Sequence, residues 1–528
     1  MNVSTRFLLL LTVLLLAACG GRSGGDDPAG DVAGGDTAAI DVWWDDTDAG
    51  GGDDVLGDME PPQDLLEDGT PVDVLEDAEP HPDDLVDTLE DLIEDSLEDS
   101  VDVPDTTEDG GDVDEDVIDP PPGQVLEITE CGALPAAPEG GCVVQEGSAV
   151  VVLRGTVLAP WEVFVGGEIL ISSGGDIGCV GCDCSGDPEY AGAMVITCPE
   201  GIVSPGLINA HDHITYNGNF PGDWGTERFD HRHDWRCGIR GHNEASYSKA
   251  DLQTQVIWAE LRHVLGGATS VAGSGSAPGF LRNLDRANWM EGLDVGAADN
   301  NTFPLGDSGC TLKATGCNYP NIEGAWVLDN NCYLPHVAEG IDVETRNEFL
   351  CLSSTDNGGV DLTEDNSAFI HGVGVTAVDV ALMGAEGTAL IWSPRSNISL
   401  YGHTAQVTMY HTLGVRIGLG TDWTLSGSIN VQRELACAAS LNDDYYGGFF
   451  TDHELWLMAT TWNAQALHME TAFGSLEPGL VGDVAIFQGS GGDTWHRDII
   501  EGNPSGVHLV LRGGVPLYGD LDLVAALS

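Results

Sequence analysis

Positive charge is scarce in this chain. Of 528 residues, 18 are Lys or Arg against 87 Asp or Glu, a formal net charge of −69. The only lysines are Lys249 and Lys313. Nucleic-acid binding needs a basic footprint, so this composition excludes it. Long apolar runs are scarce too. Phe7 to Leu16 is an apolar stretch behind a polar start and a single charge, Arg6. It falls short of the ~20 residues that cross a bilayer and reads as an export signal rather than a membrane span.

That run ends in Leu16-Ala17-Ala18-Cys19-Gly20, small residues before a Cys. The pattern is similar to a bacterial lipobox, so residues 1–18 are expected to be a lipoprotein signal and Cys19 the lipidated N-terminus; an ordinary cleaved signal with a chance Cys is the alternative. A lipid anchor makes the membrane a partner through its buried CH₂ groups. Gly20, where an Asp is absent, favours the outer membrane, with the remainder of the chain periplasmic or extracellular. From Ser23 to Gly123 there are 37 acidic residues and no Lys or Arg. Such a stretch repels itself and buries too little apolar surface to offset its ordering entropy. Residues 19–123 are therefore expected to be a disordered acidic linker. Calcium binding at Asp53-Asp54 or Asp83-Asp84 lacks the regular spacing of a calcium loop.

Cysteine usage agrees with export. The chain has 13 Cys, and Cys179-Val-Gly-Cys182-Asp-Cys184 is either a zinc ligand set or part of a disulfide framework. In an exported chain disulfides are favoured, with pairing open. Residues 124–205 alternate β-branched runs with Gly turns, such as Val163 to Val165 and Glu168 to Ile171, and Val484 to Phe487 and Val507 to Gly513 near the end have the same texture. Both ends read as strands. Residues 206–474 alternate helices and strands instead: helices over Ala250 to Val264, Thr376 to Gly384, Gly402 to Leu413, Ile429 to Leu441 and Asp452 to His468, strands over Gly267 to Ala272, Ala389 to Trp392 and Val415 to Leu419. This alternation predicts an α/β fold with a parallel sheet or barrel. The stretch Cys310 to Asn331 gives no clear pattern.

Four signals fall at the ends of predicted strands, where a β/α barrel keeps its active site. They are His211-Asp-His213, His336-Val-Ala-Glu339, His371-Gly372 and Gly420-Thr-Asp422. Two His at i and i+2 on a strand point to one face, so both imidazoles reach one ion. Three imidazoles and a carboxylate suit one divalent metal, Zn first and Fe second, with a position left for water. Each signal alone is weak: a strand-end Asp is commonly a helix cap. Together and in this order they are specific.

With these residues in view, the chain resembles the amidohydrolase superfamily, in the branch of cytosine deaminase, the chlorohydrolases and imidazolonepropionase, over about residues 145–520. The resemblance continues through Ser393-Pro-Arg-Ser-Asn397, Thr460-Thr-Trp-Asn-Ala-Gln-Ala466 and Gly474-Ser-Leu-Glu-Pro-Gly479. It implies a (β/α)₈ barrel over residues 206–474 and a small β-sandwich made of 124–205 and 475–528. It implies His211, His213, His336 and Asp422 as metal ligands, Glu339, His371 and Asp422 as catalytic groups, and a small-molecule substrate. In two-metal branches a carboxylated Lys bridges the ions. Lys249 precedes a helix and Lys313 sits in a Cys-bounded stretch, so one metal is favoured.

The implied chemistry is hydrolysis of a carbon–nitrogen bond outside the peptide backbone, by deamination or cyclic-amide opening. Asp422 would take a proton from the attacking water, Glu339 would carry protons to the leaving nitrogen, and His371 would polarise the substrate. Arg395 is either an anion anchor or half of a structural salt bridge. Trp423 either stacks on a ring substrate or packs. The loop Arg228 to Arg236 holds a second His-x-His pair, His231 and His233, with His242 beyond; it reads as a lid or substrate-contacting loop, a second metal site or a solvated loop. A dipeptidase or prolidase-like hydrolase and a catalytically silent lipid-anchored binding protein are the competing readings. The sequence sets no oligomeric state.

Overall fold

The computed structural model describes residues 125–528 apart from 138–140, 251 and 276. The expected signal, Cys19 and the acidic linker lie outside the described residues. β-Branched runs at both ends of the described chain build one nine-stranded mixed sheet. Strands Val151–Leu158, Glu162–Ile171 and Met194–Pro205 form its centre. Val484–Gln488 pairs antiparallel with Met194–Pro205, opposing Ile486 to Val203, and so joins the two ends of the chain. Leu153, Ile169, Ile196, Ile486 and Leu509 fill its core. The two strands expected on either side of Gly166 are one. Gly166 takes φ +74°, and a Cβ there would collide with the Gly132 carbonyl, so the glycine lets a single strand run through an irregularity. Cys131–Cys182, Cys142–Cys198 and Cys179–Cys184 are disulfides, which decides the Cys179–Cys184 alternative against zinc.

The middle of the chain alternates strands and helices as its periodicity predicts. Ala298–Asn301, Cys332–Val337, Ala368–His371, Ala389–Trp392 and Ile417–Leu419 form a five-stranded sheet in chain order, and Leu207–Asn209, Ala268–Val271 and Arg282–Asn283 a three-stranded one. The pairings within both are parallel. Backbone bonds cross both gaps: Ala298 N to Leu284 O at 2.9 Å, Ala210 N to Leu419 O at 3.2 Å and Asp422 N to His211 O at 3.0 Å. Along Ala389–Trp392 side chains alternate between two packed clusters, Leu390 and Trp392 in one, Ala389 and Ile391 in the other. A strand buried on both faces belongs in a parallel sheet covered by helices.

Two helices differ from expectation and two strands escaped it. The helix expected over Asp452 to His468 is two, Asp452–Leu457 and Thr461–Ala466, broken at Thr460 with ψ −105°. The helix expected from Gly402 begins at Val407. The third parallel strand is only Arg282–Asn283, and the fourth reads Ala-Asp-Asn-Asn, too short and too polar to register as apolar runs. The obscure stretch holds a single 3₁₀ turn, Ala325–Asp329. Among the described residues no helix is long and apolar enough to cross a membrane.

Candidate active site

The four strand-end signals converge on one point. His211 Nε2 and His213 Nε2 lie 3.4 and 3.3 Å from Asp422 Oδ1. His336 Nε2 lies 3.3 Å from His213 Nε2. His371 completes the group, its ring centroid 5.4 Å from that of His211 and 5.2 Å from that of His336. Two ligand-spaced sets result, His211 with His213 and Asp422, and His211 with His336 and His371. His371 and Asp422 adopt positive φ, +76° and +56°. Non-glycine residues pay about 1–3 kcal/mol for such backbone and keep it only where the surroundings impose it, most often at functional sites.

Alternation along the first strand sends Asp212 away from His211 and His213. Its carboxylate accepts from Arg262 at 2.9 Å, Asn217 at 2.8 Å and Thr421 at 2.8 Å, and faces His263 Nε2 at 2.8 Å. Burial opposes its ionisation, but the Arg262 guanidinium and His263 outweigh this and hold Asp212 well below the usual carboxylate range. A buried charge with five polar neighbours fixes the segment that carries the two imidazoles.

Helix Pro394–Tyr401 supplies three contacts that the sequence reading did not assign. Ser396 donates to Asp422 Oδ2 at 2.6 Å. Tyr401 donates to Glu339 Oε1 at 2.7 Å. Asn397 Nδ2 lies 3.0 Å from His371 Nδ1. Trp392 Nε1 donates to Thr404, whose hydroxyl donates to Asn397 Oδ1, so the amide of Asn397 turns its NH₂ to His371. His371 Nδ1 is then an acceptor, and its proton sits on Nε2, 3.6 Å from Glu339 Oε2. The legible signal was the Ser-Pro start of a helix, on which Asn397 and Tyr401 are four residues apart and share a face.

The electrostatics suit a cation. Burial and the neighbouring His211 push His213 down to about 4. Burial takes His371 down to about 3 and His336 well below the usual imidazole value. Burial resists a charge on Asp422, but His211, His213 and His371 hold it ionised. Glu339 moves the other way: burial, with Asp422 nearby, raises it against the pull of Arg232. Neither ring nitrogen of buried His211 makes a hydrogen bond, nor does His336 Nδ1. Buried imidazoles with unpartnered ring nitrogens, gathered around a carboxylate, are the donor set of a divalent cation, so the residues fit the expected metal.

The cluster floors a cavity of about 160 Å³. Its walls are aromatic. Trp423 lines it, packed at 5.0 Å from Tyr247 and 5.4 Å from Trp235 between ring centroids. Arg395 does not line it: the side chain donates to Ser428 at 2.6 Å and its backbone N to Glu434 at 2.9 Å. Lys313 stacks over Tyr319, 5.8 Å from the ring centroid. His231 and His233 are spaced like ligands together with Glu348, but Arg232 occupies the same pocket of charge. Arg232 lies 2.7 Å from Asp307 and 3.3 Å from Glu348, while His231 faces Glu348 at 3.2 Å and His233 faces Asp307 at 2.8 Å. A buried guanidinium there repels a cation, so this second pair is an ion-pair network that holds the loop. His242 pairs with Glu227 at 2.9 Å.

Residues 336–517 match the amidohydrolase family. A 5-methylthioadenosine/S-adenosylhomocysteine deaminase of Teredinibacter turnerae is 34% identical over 118 residues, 22% of this chain and 27% of that protein. The enzyme of the same name from Caldicellulosiruptor saccharolyticus is 25% identical over 222 residues, 39% of this chain and 51% of its own length. The matched segments thus span about a quarter to half of these curated relatives. The fold is similar to the crystal structure of an atrazine chlorohydrolase from Arthrobacter aurescens complexed with zinc and atraton, at TM-score 0.50 and 20% identity over 71% of this chain and 98% of that one. It is equally similar to a guanine deaminase from C. acetobutylicum, at TM-score 0.50 and 16% identity over 70% and 100%.

Proposed function

We propose that the chain is a metal-dependent hydrolase of carbon–nitrogen bonds outside the peptide backbone, with deamination of an aminated ring as the first reaction to test. The two parallel sheets, bonded across both gaps, are read as one closed (β/α)₈ barrel over residues 206–474, with the nine-stranded sheet as the companion domain. The observation that carries the proposal is the convergence of His211, His213, His336, His371 and Asp422, with both nitrogens of His211 unbonded, under one aromatic cavity.

His211, His213, His336 and Asp422 would hold a single divalent cation, zinc in first place. When bound, such an ion acts as a Lewis acid and brings the pKa of water toward about 7. Asp422, kept ionised, accepts a proton from the attacking water. The water oxygen bonds to the sp² carbon, and the carbon–nitrogen bond breaks. Glu339, raised by burial and held by Tyr401, carries the proton to the departing nitrogen. His371, with its proton on Nε2, donates to the ring nitrogen or oxygen beside the reacting carbon. The small cavity favours one ring over a folded peptide, below the roughly 300–1,000 Å³ of drug-sized sites. Cys19 would tether this domain to the bacterial envelope through the acidic linker.

Ammonia release from aminopurines, aminopyrimidines and aminotriazines by the zinc-loaded protein tests the reading. Release that disappears in Glu339→Gln supports it. Ring opening of cyclic amides without ammonia would move the assignment to cyclic-amide hydrolysis. Cleavage of dipeptides alone would overturn it.

A further inference from the structure

One charge in the cavity wall has no counterpart. Arg232 and Arg236 both line the cavity from helix Arg232–Cys237. Arg232 is neutralised by Asp307 and Glu348. Arg236 is not. Its contacts are His233 Nδ1 at 3.0 Å, Cys310 Sγ at 3.6 Å and the Ser308 carbonyl at 3.4 Å. His233 turns Nε2 to Asp307, so the nitrogen facing Arg236 is the neutral acceptor. Among the described residues no carboxylate stands within salt-bridge distance of Arg236. Burial and the adjacent Arg232 disfavour its charge and outweigh the pull of Glu339 and Asp307, neither of which pairs with it. A half-buried guanidinium with only neutral acceptors has lost water without gaining an anion, an arrangement that a ligand's negative charge relieves.

The orientation is built in. Arg236 lies over Phe303, its guanidinium carbon 4.2 Å from the ring centroid, which occupies one face; its terminal nitrogens hold neutral acceptors, and among the described residues its Nε makes no hydrogen bond. The disulfide Cys237–Cys310 ties the residue beside Arg236 to the end of the loop that carries Phe303 and Ser308. Gly238, at φ +60°, ends the helix directly after that tie. Tyr247 and Trp423 add aromatic faces to the same cavity.

We propose that Arg236 anchors an anionic substituent of the carboxylate class on a planar ring substrate whose carbon–nitrogen bond lies at the His/Asp cluster. This rests on the hydrolase reading above. It also transfers the anion anchor from Arg395, which is engaged with Ser428, to the loop after the first parallel strand.

The test uses aminopyrimidine carboxylates differing in ring position, each beside its own carboxamide, titrated calorimetrically into the zinc-loaded protein. Wild type is expected to bind at least one carboxylate ten- to a hundredfold more tightly than its carboxamide, the range of a charge-assisted pair. The ratio falls to about one in Arg236→Gln and to an intermediate value in Arg236→Lys, which keeps the charge but not the fork. Melting temperature and zinc content verify that both variants are folded. No preference in any pair, or a preference that persists in Arg236→Gln because the anion sits on the metal, overturns the proposal. Ammonia is assayed in the same samples. A preference for the carboxylate without turnover of any substrate class leaves the anchor standing and counts against the hydrolase reading.

Discussion

At the scale of single residues, the proposed metal ligands and catalytic groups are each held by a neighbouring side chain. Asn397 fixes the His371 tautomer, Ser396 braces Asp422 and Tyr401 braces Glu339. Contacts of this kind typically change activity or metal affinity by about 10–100-fold. Asn397→Ala is therefore expected to lower kcat by about that factor while zinc stays near wild-type content, because His371 is not among the four assigned ligands. Steady-state kinetics beside elemental analysis checks this. Loss of zinc in Asn397→Ala would instead make His371 a ligand, as its place in the second ligand-spaced set permits.

At the scale of elements, helix Gln253–Val264 carries Glu260, fully buried behind the first strands. Its Oε1 accepts from Ala277 N at 2.8 Å and from Asn283 at 3.2 Å, while Oε2 has no partner. Burial raises this carboxyl from 4.5 to about 8. The folded state thus binds the proton more tightly than the unfolded chain. The stability this supplies is fully present below about pH 4.5 and is lost as pH rises through about 8. In Glu260→Gln that loss disappears, so the melting temperature of the variant should gain on wild type between pH 5 and 9. A constant difference across that range would show that Glu260 does not titrate there.

Elements also show what was legible. The His-x-His pair, the His336 and His371 strand ends and Asp422 were legible because each closes an apolar run. Their convergence required the parallel order of strands, which alternating texture predicts. Arg282–Asn283 and Ala298–Asn301 escaped because two residues, or a run of Asp and Asn, leave no apolar signature. Asn397, Ser396 and Tyr401 lay in or just beyond a quoted motif, but their partners are 26 to 62 residues away and only tertiary structure names them. Arg236 closed a loop read as a lid or substrate contact, but nothing local singled it out, because its lack of a salt-bridge partner shows only in tertiary structure.

At the scale of the molecule, five disulfides bind the described chain: three in the nine-stranded sheet region, Cys237–Cys310 at the cavity wall, and Cys317–Cys351 tying the following loop to helix Val343–Leu352. Removing a native disulfide from a small domain typically costs about 2–5 kcal/mol, so reduction should lower the melting temperature by several degrees or more. Cys237→Ser with Cys310→Ser should also raise KM for ring substrates, since it frees the wall that holds Arg236 and Phe303. An unchanged KM would show that the tie is dispensable for the pocket. Acidic residues dominate even beyond the linker, 50 against 16 basic from residue 124 onward. A cationic wall inside so acidic a chain is a local feature of the site rather than of the surface as a whole.

The central claim is the single metal at His211, His213, His336 and Asp422. Elemental analysis of the purified zinc-loaded chain, with His211→Ala and Asp422→Asn alongside, tests it most directly. The account predicts about one equivalent per chain in wild type, none in His211→Ala and a marked loss in Asp422→Asn, with all three proteins folded. No bound metal in folded wild type, or one equivalent retained in His211→Ala, would contradict it.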